Sequence, residues 1–227
     1  MQYALCVGEM LIDFIPTATD LHGSRCYQPH PGGAVANAAV ALARLGGAAR
    51  FVGKLGEDSF GRLLLNVLTE NQVDTRFVPT TSQGNTALAL VTLQTDGQRE
   101  FHFYRQQTAD TLLEERDLPA QAWADVAILH AGSVLLAVNP ARTAMLAALE
   151  QAHARGVPVS FDVNARVALW HSEAELRETL GRIIARVDLL KCSAEEAHYL
   201  DPSRSTPLNP TETPSLAALG QQLLTQG

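Results

Sequence analysis

The chain opens on an almost unbroken apolar run, Tyr3-Ala-Leu-Cys-Val-Gly-Glu-Met-Leu-Ile-Asp-Phe-Ile15, which predicts a buried strand ending near Asp13. Polar and Pro-rich sequence follows to Pro31. The period then changes. In Gly33-Ala-Val-Ala-Asn-Ala-Ala-Val-Ala-Leu-Ala-Arg-Leu45, the residues Val35, Ala38, Ala39, Leu42 and Leu45 fall on one helical face, and Gly46-Gly47 supplies a stop. So many alanines let this helix lie close to a sheet. Phe51-Val52 resumes a strand, and residues 60–71 read as a second amphipathic helix.

Two strand-like runs, 86–94 and 99–105, are joined by Thr95-Asp96-Gly97-Gln98, and Asp-Gly between such runs signals a hairpin. Within the second run Glu100, His102 and Tyr104 alternate with Phe101, Phe103 and Arg105, which separates two faces. After Pro119 strands at 126–131, 157–163 and 187–191 alternate with helices near 140–155 and 173–185. Apolar strands alternating with helices predict a doubly wound, mainly parallel α/β sheet. The hairpin and the 16–31 segment break that rhythm and predict a small β-rich lid. The expected division is a core of residues 1–13, 32–83 and 107–227 and a lid of 14–31 and 84–106. Pro202, Pro207, Pro210 and Pro214 mark a loop over 201–215, followed by a helix at about 216–226.

Composition narrows the function classes. At 46% hydrophobic and 18% charged, the 227 residues suit a globular protein. A formal charge of −7 argues against a nucleic-acid surface, and no apolar run approaches the roughly 20 residues of a membrane span. Cys6, Cys26 and Cys192 are too scattered for a disulfide framework or a zinc site. With no signal-peptide pattern after Met1, the expected location is the cytoplasm.

Three places carry candidate chemistry. Gly32-Gly33 just before a helix lets backbone approach a ligand, and Asn37, one turn in, can both donate to and accept from a hydroxyl. The alternative is a glycine turn before a packing helix. No Gly-Lys-Ser/Thr follows, so this is not a Walker loop, and Gly8-Glu-Met-Leu-Ile-Asp13 is not a dinucleotide fingerprint. Asp13, at an expected strand end, either caps a turn or clamps two vicinal hydroxyls. Asp162, Asn164 and Arg166 follow the 157–161 strand and share the same ligand-binding edge, where Arg166 suits a phosphate or a carboxylate.

Gly32-Gly33 with Asn37 and the alanine helix resembles the first signature of the ribokinase-type PfkB carbohydrate kinases. Gly53-Lys-Leu-Gly-Glu-Asp-Ser-Phe-Gly61, Phe103-Tyr-Arg105, His130-Ala-Gly-Ser133, Ser160-Phe-Asp-Val-Asn-Ala-Arg166 with Leu169-Trp170, and Lys191-Cys-Ser-Ala-Glu-Glu196 come in that family's order, from Cys6 to about Tyr199. Phe-Tyr-Arg and Asp-x-Asn-x-Arg resemble the fructokinase and 2-keto-3-deoxygluconate kinase branch. The resemblance implies a ribokinase-like fold and a sugar bound by Asp13, Gly32, Gly33, Asn37, Asn164 and Arg166. It also places Phe103 stacked on the ring from the lid and Arg105 bonded to an oxygen. Lys191, Ser193 and Glu196 fall to the nucleotide phosphates, with Glu196 organising Mg2+ indirectly through water. Glu195 and Glu196 serve equally as first-turn acids favoured by a helix dipole. ATP with Mg2+ is the implied cofactor pair, and pairing of lids between subunits an implied homodimer.

The family's second signature, Asp-Thr-x-Gly-Ala-Gly-Asp, does not occur in residues 1–227. Its last aspartate is the general base, and its glycines form the anion hole for the transferring phosphoryl group. The expectation is therefore a truncated, ribokinase-like sheet carrying the sugar-binding half of the site without catalytic residues. The alternatives are a non-catalytic sugar- or partner-binding remnant and a sugar-acid kinase.

Overall fold

A computed structural model describes residues 2–19, 22–93, 99–201 and 218–221. In chain order its strands are β1 (Tyr3–Val7), β2 (Leu11–Thr19), β3 (Arg25–Gly32), β4 (Ala48–Val52), β5 (Leu55–Gly56), β6 (Thr80–Thr81), β7 (Leu88–Leu93), β8 (Arg99–Tyr104), β9 (Val126–Gly132), β10 (Val159–Asp162) and β11 (Leu189–Lys191). The longer helices are α1 (Ala34–Arg44), α2 (Ser59–Glu70), α3 (Ala141–Ala154) and α4 (Glu173–Ile183).

The core is a parallel five-stranded sheet in the order β11-β10-β9-β1-β4. From β1 the chain steps outward to β4, then returns past β1 to β9 and steps the other way to β11. Between β1 and β9 the connections diverge, and a crevice opens at the carboxyl edge. Leu5, Val7, Leu129, Ala131, Val159 and Phe161 bury one face against α3 and α4 through Met145, Leu149, Leu176 and Leu180. Cys6, Ala49 and Phe51 bury the other against Val35, Ala36 and Ala39 of α1 and Leu64 and Leu68 of α2. Apolar residues on both faces of each central strand are what a covered parallel sheet requires.

The N-terminus of α1 is seated directly over that crevice. Val35 lies where side chains from the adjacent strand ends would stand: a Cβ at Gly8 would come within 2.4 Å of Val35 Cβ, and one at Gly132 within 3.2 Å of its Cγ2. Buried Arg50, mid-strand in β4, donates to Asp74 at 2.8 Å and to the Ala122 and Ala124 carbonyls at 2.7 and 2.9 Å. This gives a buried cation the partners it needs.

The lid is a second sheet, β3-β2-β7-β8, with β2 and β7 parallel and the outer pairs antiparallel. The hairpin expected over 86–105 is present as β7 and β8, while its turn, 94–98, lies outside the described residues. Phe101 and Phe103 turn inward onto Leu11, Ala87 and Ala89, and His102 on the other face meets Thr92 at 3.2 Å.

Three expectations change. The opening run is two strands, not one: it breaks at Gly8-Glu9-Met10, leaving β1 in the core while β2 starts the lid. Asp13 therefore sits within the lid sheet, opposite His30 and Ala89, rather than at the end of a core strand. Leu45 does not join the buried face of α1; it is the helix C-cap and 86% exposed, because the chain turns away there into Gly46. Of the helix expected at 216–226, residues 218–221 are helical and the rest lies outside the described residues, as does the Pro-rich stretch 202–215.

Gly8→Ala should cost about 1–3 kcal/mol, the usual range for forcing extra volume into a packed contact. A lower urea midpoint at unchanged slope is the expected reading.

Candidate functional site

The break at Gly8-Glu9-Met10 carries a buried acid to the start of α1. Glu9 is 2% exposed, and its Oε1 accepts from the Ala34 N–H at 2.8 Å. The N-cap of α1 is Gly33, which has no side chain to offer, so an acid 25 residues earlier in the chain caps the first turn. Gly33 holds φ at +106°, and a Cβ there would stand 2.5 Å from the Glu9 carbonyl oxygen; only glycine lets the two crossings between core and lid lie this close.

A cavity of about 270 Å3 lies between this junction, the inner face of the lid and the carboxyl edge of the sheet. β2 contributes Leu11 and Asp13, the start of α1 contributes Gly33, Ala34 and Asn37, and β8 contributes Phe101 and Phe103. From the sheet edge come Val134, Asp162, Asn164, Arg166 and Lys191. The rings of Phe101 and Phe103 stack with centroids 6.2 Å apart, and the Arg166 guanidinium lies 5.6 Å from the Phe101 centroid, a cation–π distance.

Burial raises the Asp13 carboxyl above the usual carboxylate range, and the charges of Arg166 and His30 pull it back down. Gly32, behind it, does not line the cavity; a Cβ there would come 2.2 Å from Asp13 Oδ2. The Glu9 carboxyl is also raised, chiefly by burial, against the Ala34 N–H and the Arg105 charge. Lys191, with 72% of its side chain exposed, reaches both Asp162 oxygens, at 2.9 and 2.8 Å.

Asn164 has a left-handed φ of 33°, a conformation asparagine tolerates better than most residues. That turn is held by Glu196, whose Oε1 accepts from Ala165 N at 2.7 Å and whose Oε2 accepts from Ser193 N at 2.9 Å, while Ser193 Oγ accepts from Glu196 N at 3.2 Å. Ser193 and Glu196 thus form a reciprocal cap that braces the Asn164–Arg166 turn, outside the cavity lining. Each oxygen of Glu196 accepts one of these bonds, and no group of three His, Cys, Asp or Glu is gathered among the described residues, so these residues form no all-protein cage for a Mg2+ ion.

Of the residues singled out in the sequence, the structure brings Asp13, Gly33, Asn37, Phe103, Asn164, Arg166 and Lys191 together. Arg105 is placed elsewhere: 8% exposed, it donates through Nε to Asp110 at 2.5 Å beneath the lid and lines two neighbouring clefts instead. Glu9 and Phe101 line the cavity without having stood out in the sequence. Phe101 shares the alternating face of Phe103. Glu9 stands as a lone charge inside an apolar run, and such a charge is buried only where a partner compensates it.

Because ionising a carboxyl raised by burial works against folding, Asp13 contributes stability below its unfolded value near 3.9 and loses it as pH rises through the higher folded value. Asp13→Asn should therefore raise the urea midpoint at about pH 7, with the difference vanishing at about pH 3.

A family model described as pfkB family carbohydrate kinase matches residues 1–227. The chain is 43% identical over 200 residues to probable fructokinase-6, chloroplastic, of Arabidopsis thaliana, and 46% identical over 195 residues to fructokinase-1 of Zea mays. These alignments take in 87% and 85% of the chain but only 52% and 60% of the relatives, so the chain spans little more than half their length. Among solved structures, a fructokinase from Xylella fastidiosa with bound ATP superposes at a TM-score of 0.82 with 35% identity, over 99% of this chain and 69% of the other. A fructokinase from Vibrio cholerae O395 in a fructose-, ADP- and calcium-bound form superposes at 0.81 with 33% identity, over 96% and 68%.

Proposed function

The chain belongs to the pfkB family of carbohydrate kinases, and on that premise we propose that residues 1–227 bind a sugar as the phosphoryl acceptor of an ATP-dependent kinase, of the fructokinase kind. The observation that carries the reading is the cavity itself. Hydrogen-bonding side chains from lid, helix and sheet edge converge on it opposite a pair of stacked phenylalanines, and that is the composition a polyhydroxylated ring calls for. The fructose- and ADP-bound Vibrio cholerae relative supports it.

In this reading Asp13, ionised and facing Arg166, accepts from two sugar hydroxyls. Asn37 donates to and accepts from a third, and Phe101 and Phe103 cover the apolar face of the ring. Arg166 and Asn164 hold the far side of the sugar. Lys191, exposed at the carboxyl edge, faces the nucleotide phosphates, and the ATP-bound Xylella fastidiosa relative supports a nucleotide as the second ligand. Arg105 is already neutralised by Asp110, which favours a neutral ketose over a sugar acid. Residues 1–227 contain no Asp-Thr-x-Gly-Ala-Gly-Asp, so they supply sugar positioning without the base and anion hole that phosphoryl transfer needs.

Calorimetric titration of the 227-residue chain with D-fructose should show saturable binding that Asp13→Ala weakens about 10- to 100-fold, the worth of charge-assisted hydrogen bonds. ATP should not be consumed. The reading fails if D-fructose, ribose and 2-keto-3-deoxygluconate all go unbound, or if Asp13→Ala binds as tightly as the parent. ATP turnover by residues 1–227 would overturn the claim that they only position the sugar.

A further inference from the structure

The sugar cavity has a neighbour that shares one of its walls. A cleft of about 930 Å3 is lined, like the cavity, by Phe103, and three segments of chain pass from one space to the other. The lid strand β8 gives Phe101 and Phe103 to the cavity, and its continuation gives Arg105, Gln106 and Gln107 to the cleft. The segment after β9 gives first Val134, then Val138 and Asn139; the segment after β10 gives first Asn164 and Arg166, then Ala168 and Leu169. Three segments advancing together set the two spaces end to end along the carboxyl edge of the sheet, where open α/β folds take their ligands. Charge divides them. The cavity is lined by Glu9, Asp13, Asp162, Arg166 and Lys191, whereas the one charged side chain lining the cleft is Arg105, which is 4% exposed and donates to Asp110. The rest of the cleft is neutral: Gln106, Gln107 and Asn139 bring amides, which donate and accept, and Leu112, Val138 and Leu169 bring apolar surface.

We infer that cavity and cleft are two halves of one groove, and that the groove takes a fructose-containing disaccharide, with the fructose ring in the cavity and a second neutral ring in the cleft. An anionic group would meet no exposed cation in the cleft, and a wholly apolar one would cover three amides without giving them partners. A second sugar ring answers both demands. Its hydroxyls suit the amides, and its C–H face suits Leu169 and Val138, a valine left 37% exposed on the cleft wall. Phe103, common to both spaces, then touches both rings. Because the second ring arrives already joined to the first, its contacts add to affinity with little further loss of overall motion. The cavity recognises the fructose ring; the cleft recognises what is attached to it.

This rests on the sugar-binding reading, and the test separates the two. Calorimetry would give the affinities of the parent chain for D-fructose and for inulobiose, levanbiose, turanose and sucrose, which carry the second ring on different oxygens of the fructose. One of the disaccharides should bind about tenfold tighter than D-fructose, the worth of one or two neutral hydrogen bonds. Val138→Trp sets an indole in the cleft; it should abolish that gain and leave the affinity for D-fructose within about twofold of the parent. If every disaccharide binds no tighter than D-fructose, the cleft holds no second ring. If the gain survives in Val138→Trp, the second ring lies elsewhere, and if that variant loses D-fructose as well, the two spaces are not separate subsites. Each of these results overturns the inference alone. A parent chain that binds none of the sugars overturns it together with the sugar-binding reading. Should Val138→Trp fail to unfold cooperatively in urea, Gln106→Trp, which fills the cleft from an exposed position on the lid side, replaces it with the same expected result.

Discussion

The Glu9 carboxylate on the Ala34 N–H is the contact on which the rest of the site depends. It is made where β1 hands the chain to the lid, and it grips the helix that begins where the lid hands the chain back. Two of the crossings between core and lid are thereby fixed to one another at the strand-order reversal. Gly8, Gly132 and Gly33 are the steric terms of that arrangement: two let Val35 sink between the strand ends, and the third lets backbone pass over backbone. Once α1 is seated, Asn37 is placed one turn in, and Asp13 descends from the lid across from it.

The carboxylates of the cavity differ in what faces them. Glu9, 2% exposed, meets the helix N-terminus of α1 and the charge of Arg105; Asp13, half-buried, meets the charges of Arg166 and His30; Asp162, 7% exposed at the sheet edge, meets an exposed lysine. Burial makes uncompensated charge costly, and it raises the carboxyls of Glu9 and Asp13.

Much of this was legible in the chain. The alternation of apolar strands and helices, the pairing of the two runs about 86–94 and 99–105, and Gly32-Gly33 before the helix that carries Asn37 all report local physics. The strand break at Gly8–Met10 was not legible, because an apolar run continues through it and only the neighbouring α1 terminates the first sheet there. Arg105 was misplaced for a related reason. Strand alternation correctly put it on the inner face with Phe101 and Phe103, but its partner Asp110 sits five residues on in a 3-10 turn that no periodicity announces. Glu196 carries the same lesson: the Ser193/Glu196 spacing is visible in the sequence, whereas its second bond, to Ala165, spans 31 residues and exists only in the fold.

Gly32 can take no side chain while Asp13 stands opposite it, since a Cβ there would come 2.2 Å from Oδ2. A change at Gly32 therefore has to wait for a change at Asp13. The phenylalanines on β8 stack on each other and touch neither Gly32 nor Asp13 in that way. Divergence toward new substrates is therefore channelled. On the sugar-binding reading proposed above, the polar floor around Gly32 is then stiffer than the aromatic roof, so homologues that part company in the sugars they accept should do so first along the strand that holds Phe101 and Phe103.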